Sequence, residues 1–280
     1  MCKILVVLTL ASLALAFGRT DDAGSWQAVN HQGSDAPFDS LQYIDVEGLG
    51  ASVYCVGVGF DGTDLWVTDA NQEAGAPVIH VISTDGSLVE TFDQYQTSSW
   101  GLRDMCCDGT YMFASEDYNV DAYDIATRSY AGSFTSYASN PNRAQGWDGT
   151  YFYTGSFSET IYQVEWDGVF GSSATYSAWS TAVANGGLYG TAYDETDDCI
   201  WASTASYDGM VYQIAMDGSL IAEHDFDPEV NIAGGCCTAP WEGTEQYWIL
   251  EQGDPDAVWC FQIHTPATTP ATWGTIKSSF

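Results

Sequence analysis

Only six of the 280 residues are basic, against 38 acidic ones, and two of the six hold matching places. Arg103 and Arg143 each lie five residues before an Asp-Gly pair, Asp108-Gly109 and Asp148-Gly149. Two guanidiniums at the same level of a repeated unit suit capture of a carboxylate or phosphate, since the planar fork donates two parallel hydrogen bonds. The matching positions elsewhere are Val56, Tyr189 and Cys237. Asp69, Glu116, Ser156, Thr204 and Glu251 follow the same turns, and Trp100 precedes Arg103. If the repeats bring these positions to one opening, the candidate ligand-binding set is Arg103, Arg143, Asp69, Glu116, Glu251, Tyr189 and Trp100. The competing reading has each arginine tying down nearby carboxylates and stiffening a crowded centre.

Other chemistry is thinly represented. The chain has no G-x-S-x-G, no histidine-based triad pattern and no P-loop, so no catalytic residue is assigned. Acid–base work by two of these carboxylates stays open. His31, His80, His224 and His264 do not adjoin cysteines, and no paired C-x-x-C exists, so no metal ligand set is predicted. Carboxylate-rich stretches, Ser115-Glu-Asp-Tyr-Asn-Val-Asp121 and Glu251-Gln-Gly-Asp-Pro-Asp256, leave calcium as a possible cofactor, although neither has EF-hand spacing.

The net charge of −32 speaks against nucleic acid and anionic membranes as partners. It suits solubility, a salty medium or divalent cations. Met1-Cys-Lys3, an apolar run from Ile4 to Ala16, and Ala14-Leu-Ala16 read as a secretory signal peptide over 1–16. The expected location is extracellular or periplasmic, with no membrane insertion. Seven cysteines remain beyond that segment: Cys55, Cys106, Cys107, Cys199, Cys236, Cys237 and Cys260. An exported protein with this usage is expected to form disulfides, the odd one being free or available for self-association.

The element that must position these groups is a repeat. Phe60-Asp-Gly-Thr-Asp-Leu-Trp-Val-Thr-Asp69, Cys107-Asp-Gly-Thr-Tyr-Met-Phe-Ala-Ser-Glu116 and Trp147-Asp-Gly-Thr-Tyr-Phe-Tyr-Thr-Gly-Ser156 are its clearest copies. Looser copies begin at Tyr193 and Trp241. The anchors Asp61, Asp108, Asp148, Asp194 and Glu242 lie 47, 40, 46 and 48 residues apart, the period of a propeller blade. In the first unit, Val56–Phe60, Leu65–Thr68, Val78–Ile82 and Leu88–Phe92 read as strands, with Asp-Gly turns joining the first to the second and the third to the fourth. The prediction is an all-β propeller of four-stranded antiparallel blades, five in number, with six as the alternative. It is a single domain over 38–280 after a polar lead-in at 17–37. Ser40–Val46 or Trp273–Lys277 would complete the last blade. Trp66, Phe113, Tyr153, Trp201 and Trp248 share one register and are expected to fill the space between sheets.

The phrase Asp-Gly-Thr-x-aromatic/Leu-Trp-Val-x-Asp resembles bacterial extracellular propeller repeats of the NHL and quinoprotein-like superfamilies. Five blades, Trp100-Gly-Leu102 and Gly190-Thr-Ala-Tyr-Asp194 are similar to plant-type glutaminyl-peptide cyclotransferases. That family's Phe-Thr-Gln-Gly-Leu start is absent, and its lysine has no counterpart. The resemblance implies that first strands line a channel and that the candidate residues gather at one rim. It also places Cys106-Cys107 and Cys236-Cys237 near the channel, either as adjacent-residue disulfides or with Cys55 bonded to Cys236 or Cys237 across the ring closure. Three functions remain open. The first is a binding scaffold for a protein, peptide or small-molecule ligand. The second is an enzyme of the cyclotransferase or lyase kind, and the third a cell-surface or matrix component assembled through cysteine or calcium.

Overall fold

Each clear copy of the repeated phrase folds as a tight hairpin because its aspartate serves its own turn. Asp61 Oδ1 accepts the Thr63 and Asp64 N–H groups at 2.8 Å, while Oδ2 accepts Trp66 Nε1–H at 2.8 Å. Asp148 does the same, with Oδ1 on the Thr150 and Tyr151 N–H groups and Oδ2 on the Tyr153 hydroxyl. Gly62 and Gly149 sit at φ of +97° and +94°, which a side chain would oppose. One carboxylate thus sets the turn and fastens the aromatic of the following strand.

The computed structural model describes residues 38–71, 75–95, 100–183, 187–204, 209–226, 230 and 232–265. Residues 1–37 and Trp273–Lys277 lie outside them. Blade 1 holds β2 (Cys55–Phe60), β3 (Asp64–Asp69), β4 (Val78–Ser83) and β5 (Leu88–Asp93). Blade 2 holds β6 (Met105–Cys107), β7 (Tyr111–Glu116), β8 (Asn119–Asp124) and β9 (Ser129–Thr135). Blade 3 holds β10 (Gly146–Trp147), β11 (Phe152–Thr154), β12 (Ile161–Glu165) and β13 (Thr175–Ser180). Blade 4 holds β14 (Leu188–Asp194), β15 (Cys199–Thr204), β16 (Met210–Ala215) and β17 (Leu220–Asp225). Blade 5 holds β18 (Ala233–Trp241), β19 (Thr244–Glu251) and β20 (Ala257–Phe261), and β1 (Ser40–Asp45) completes it from the N-terminal side. The ring is an antiparallel five-bladed propeller, and Ser40–Asp45 takes the closing place in the fifth blade. No helix among the described residues is long and apolar enough to cross a membrane.

Five apolar clusters fill the five seams between blades, and each receives one of the five second-strand aromatics that share a register. Trp66 lies in the seam of blades 1 and 2, Phe113 in that of 2 and 3, and Tyr153 in that of 3 and 4. Trp201 lies in the seam of 4 and 5, and Trp248 in that of 5 and 1. All five are buried. Burying such a ring removes about 150–250 Å² from water, so each seam depends heavily on its aromatic.

Strand alternation also settles the cysteines. Cys236 packs into the seam of blades 4 and 5, and Cys237 into that of 5 and 1. Cys106 and Cys107 likewise face opposite seams. Neighbours in an extended strand point to opposite faces, so neither pair meets. Cys55, Cys106, Cys107, Cys236 and Cys237 are all free thiols here, as are Cys199 and Cys260, which corrects the disulfide expectation. Cys55 shares the seam of blades 5 and 1 with Cys237 without bonding it, and its thiol faces the Ser52 carbonyl at 3.5 Å.

Candidate functional site

At the centre of the ring, sequence reasoning missed the governing residue. Asp104 follows Arg103 and is fully buried, and its carboxylate accepts backbone N–H groups from three other inner strands. Oδ2 takes those of Gln145 (2.9 Å) and Thr191 (3.0 Å), and Oδ1 that of Cys236 (2.9 Å). Blades 2 to 5 are thereby tied to one carboxyl. Burial pushes its pKa well above the ordinary carboxylate value, against those hydrogen bonds. Gly235 makes the room, since a Cβ there would stand 2.2 Å from Asp104 Oδ1.

Above this hub, the start of each inner strand and the end of its neighbour share a rim; Cys55 pairs with Asp69 and Ala233 with Glu251. Arg103 and Arg143 arrive there together. Their backbones are coupled, because Asp104 N–H donates to the Arg143 carbonyl at 3.2 Å and Ser115 Oγ donates to the same oxygen at 3.1 Å. Arg103 is 5 % exposed and Arg143 7 %. Arg143 Cζ lies 3.7 Å from the Tyr189 ring centroid and 4.4 Å from that of Phe157. Arg103 Cζ lies 5.6 Å from that of Trp100, which meets Tyr54 edge-on at 6.2 Å. Aromatic faces attract cations, so these rings hold the guanidiniums in place without neutralising them.

The hydrogen-bond inventory of the two side chains is incomplete. Arg103 Nε and Nη1 and Arg143 Nε are buried with no acceptor, and no ion pair to either arginine occurs among the described residues. Arg128, by contrast, pairs with Glu90 at 2.6 Å and Asp64 at 3.4 Å. Burial presses the Arg143 pKa down to about 9, Tyr189 resists, and the like charge of Arg103 adds to the fall. Arg103 is also lowered by burial, with Asp117 and Glu116 pushing back.

The remaining candidates divide. Tyr189 and Trp100 join the arginines, and Glu116 is buried close enough to act on Arg103 electrostatically. Asp69 is occupied, accepting from Ser52 N–H (2.7 Å), Ser52 Oγ–H (2.5 Å) and Asn71 N–H (2.7 Å), with His80 Nε2 at 3.1 Å. Burial acts to raise its pKa, but the bonds from His80, Ser52 and Asn71 prevail and hold it low. Glu251 accepts Trp259 Nε1–H at 2.8 Å. Cys237 is not at the rim: it pairs with Trp248 in mid-strand, because the β18–β19 hairpin is longer than the others. Phe157, unremarked in the sequence, joins the site from the loop after β11. Burial alone raises Asp121 to about 7, and burial is the leading cause of the same value at Asp256.

The two carboxylate-rich stretches gather no group of three ligand atoms; the one such group among the described residues is Asp194, Glu245 and His264, on the opposite face. A cavity of about 100 Å³ opens at the lower mouth of the channel, lined by Cys106, Cys107, Cys236, Cys237, Trp147 and Tyr193, among others.

No model of a known protein family matches the sequence, and no curated protein does. Among solved structures, the chain is similar to Myxococcus xanthus glutaminyl cyclase, with a TM-score of 0.57 and 9 % identity over 81 % of this chain and 97 % of that one. A looser likeness links it to a chain of a mitotic checkpoint complex, with a TM-score of 0.44 and 11 % identity over 74 % of this chain and 63 % of that one. The likeness to the glutaminyl cyclase establishes a shared propeller fold and nothing about the reaction.

Proposed function

We propose that this protein is an exported binding module whose propeller rim captures an anionic group, a carboxylate or phosphate, between Arg103 and Arg143. The observation carrying this reading is the pair of buried guanidiniums in which Arg103 Nε and Nη1 and Arg143 Nε lack acceptors. A buried charged donor left unpaired is costly, and an anion supplied by a ligand removes that cost. Trp100, Tyr189 and Phe157 offer apolar surface for the body that carries the anion. The net charge of −32 repels anions at long range, so capture depends on contacts made within the pocket. The bonds that occupy Asp69 and Glu251 favour binding over acid–base catalysis by those carboxylates.

Calorimetric titration with sodium benzoate and with inorganic phosphate tests the reading. A hydrogen bond to a charged partner contributes about 1.5–3 kcal/mol, so replacing both arginines by methionine should weaken one-to-one binding by more than about tenfold. Binding of neither probe to the wild type, or equal binding by the doubly substituted protein, would refute it.

A further inference from the structure

The fourth copy of the hairpin turn differs from the others in what surrounds it. Asp194 performs the usual task, with Oδ1 on the Thr196 and Asp197 N–H groups (3.0 and 3.1 Å) and Oδ2 on Trp201 Nε1–H (3.0 Å). Two further ligand-bearing side chains then converge on it from elsewhere in the chain. Glu245, on β19 of the next blade, accepts Thr196 Oγ1–H at 2.9 Å through Oε2. His264, just past β20, places Nε2 at 3.0 Å from both Asp194 oxygens. Its backbone is gripped by buried Gln246, whose Oε1 accepts the Ile263 and His264 N–H groups at 2.8 and 3.2 Å and whose Nε2 donates to the His264 carbonyl at 2.9 Å. One ligand atom from each of Asp194, Glu245 and His264 lies within 4.8 Å of the others.

We infer that Asp194, Glu245 and His264 form a site for a divalent cation of the zinc class, on the face opposite the arginine pocket. Two carboxylates beside one neutral imidazole leave a net negative charge that a divalent cation balances. The donor set selects the metal: calcium and magnesium take oxygen ligands, whereas one imidazole with two carboxylates suits zinc. Three protein ligands leave a fourth position for water or another ligand. The outer partners are in place, Trp201 on Asp194 and Thr196 on Glu245, as metal-binding carboxylates require for orientation. Thr196 and Glu245 also line a cavity of about 440 Å³, which gives a cation a way in. Asp61, Asp108 and Asp148, at the matching turns, belong to no such group, so the aspartate turn alone does not create the arrangement.

The test uses full-length protein stripped with a chelator and titrated with zinc chloride or calcium chloride, with Glu245→Gln and His264→Gln as variants. Glu245→Gln leaves the His264–Asp194 contact untouched, and circular dichroism of the metal-free proteins checks folding. The expected result is one equivalent of zinc, preferred over calcium, weakened at least roughly tenfold by either change. Zinc-edge X-ray absorption should show nitrogen and oxygen neighbours and no sulfur. No zinc uptake, a preference for calcium, a sulfur shell from the cysteines, or unchanged affinity in both variants would overturn the inference and leave an ordinary His264–Asp194 hydrogen bond.

Discussion

Replacing Arg143 by methionine should make the protein more stable while abolishing its binding of anions. Burial, with the like charge of Arg103 adding to it, lowers the guanidinium from its ordinary value to about 9. At 1.36 kcal/mol per pKa step, that corresponds to a penalty of about 5 kcal/mol at most. The Tyr189 and Phe157 rings offset roughly 1–2 kcal/mol each, being close and shielded from water. A net cost of about 1–3 kcal/mol remains. Because the folded value is depressed for a base, the penalty is present in full below pH about 9 and fades only as pH climbs from there towards the ordinary arginine value. A measurement at neutral pH therefore captures all of it. Methionine keeps an unbranched, adaptable stem against the two rings and carries no charge. Scanning calorimetry should show a melting temperature higher by several degrees, at about 2–4 °C per kcal/mol for a chain near this size. Benzoate, which should raise the melting temperature of the wild type, should leave that of the variant unchanged. A melting temperature several degrees lower would refute the reasoning, since it would mean that Arg143 is a satisfied structural group.

Two further perturbations address the framework. Asp121 is raised to about 7 from 3.8, so the folded chain holds a proton that the unfolded chain releases between those values, and stability should fall as pH rises across that window. Asp121→Asn should melt above the wild type at pH 8 and show a shallower slope from pH 5 to 8; parallel curves would count against the assignment. Asp104→Ala removes the acceptor of three buried N–H groups at about 1–3 kcal/mol each, so urea unfolding should show a loss of about 3 kcal/mol or more. A change below about 1 kcal/mol would show that the hub is dispensable.

The propeller was legible because its determinants repeat. Asp61, Asp148 and Asp194 each close a turn and also fasten the next aromatic, so those copies carry their own local instructions, and Trp66, Phe113, Tyr153, Trp201 and Trp248 fall one to a seam. The arginine pair was visible for the same reason, as two copies of one position. What escaped was non-repetitive. Asp104 stands where counting back from the turns gives Gly57, Ala144 and Gly190 in blades 1, 3 and 4, and its partners lie 41, 87 and 132 residues away. His264 meets Asp194 across 70 positions. The expectation of adjacent-pair disulfides failed because spacing along the chain ignores strand alternation, which turns Cys236 and Cys237 into different seams, while Cys55 and Cys237 share a seam as free thiols.

Crystals soaked with 4-bromobenzoate test the binding claim most directly, because bromine locates the molecule independently of the protein. We expect the carboxylate within hydrogen-bonding distance of Arg103 and Arg143, with the ring against Trp100, Tyr189 or Phe157. Both guanidiniums turned onto Glu116 or Asp117, with no bromine signal at the rim, would contradict the account.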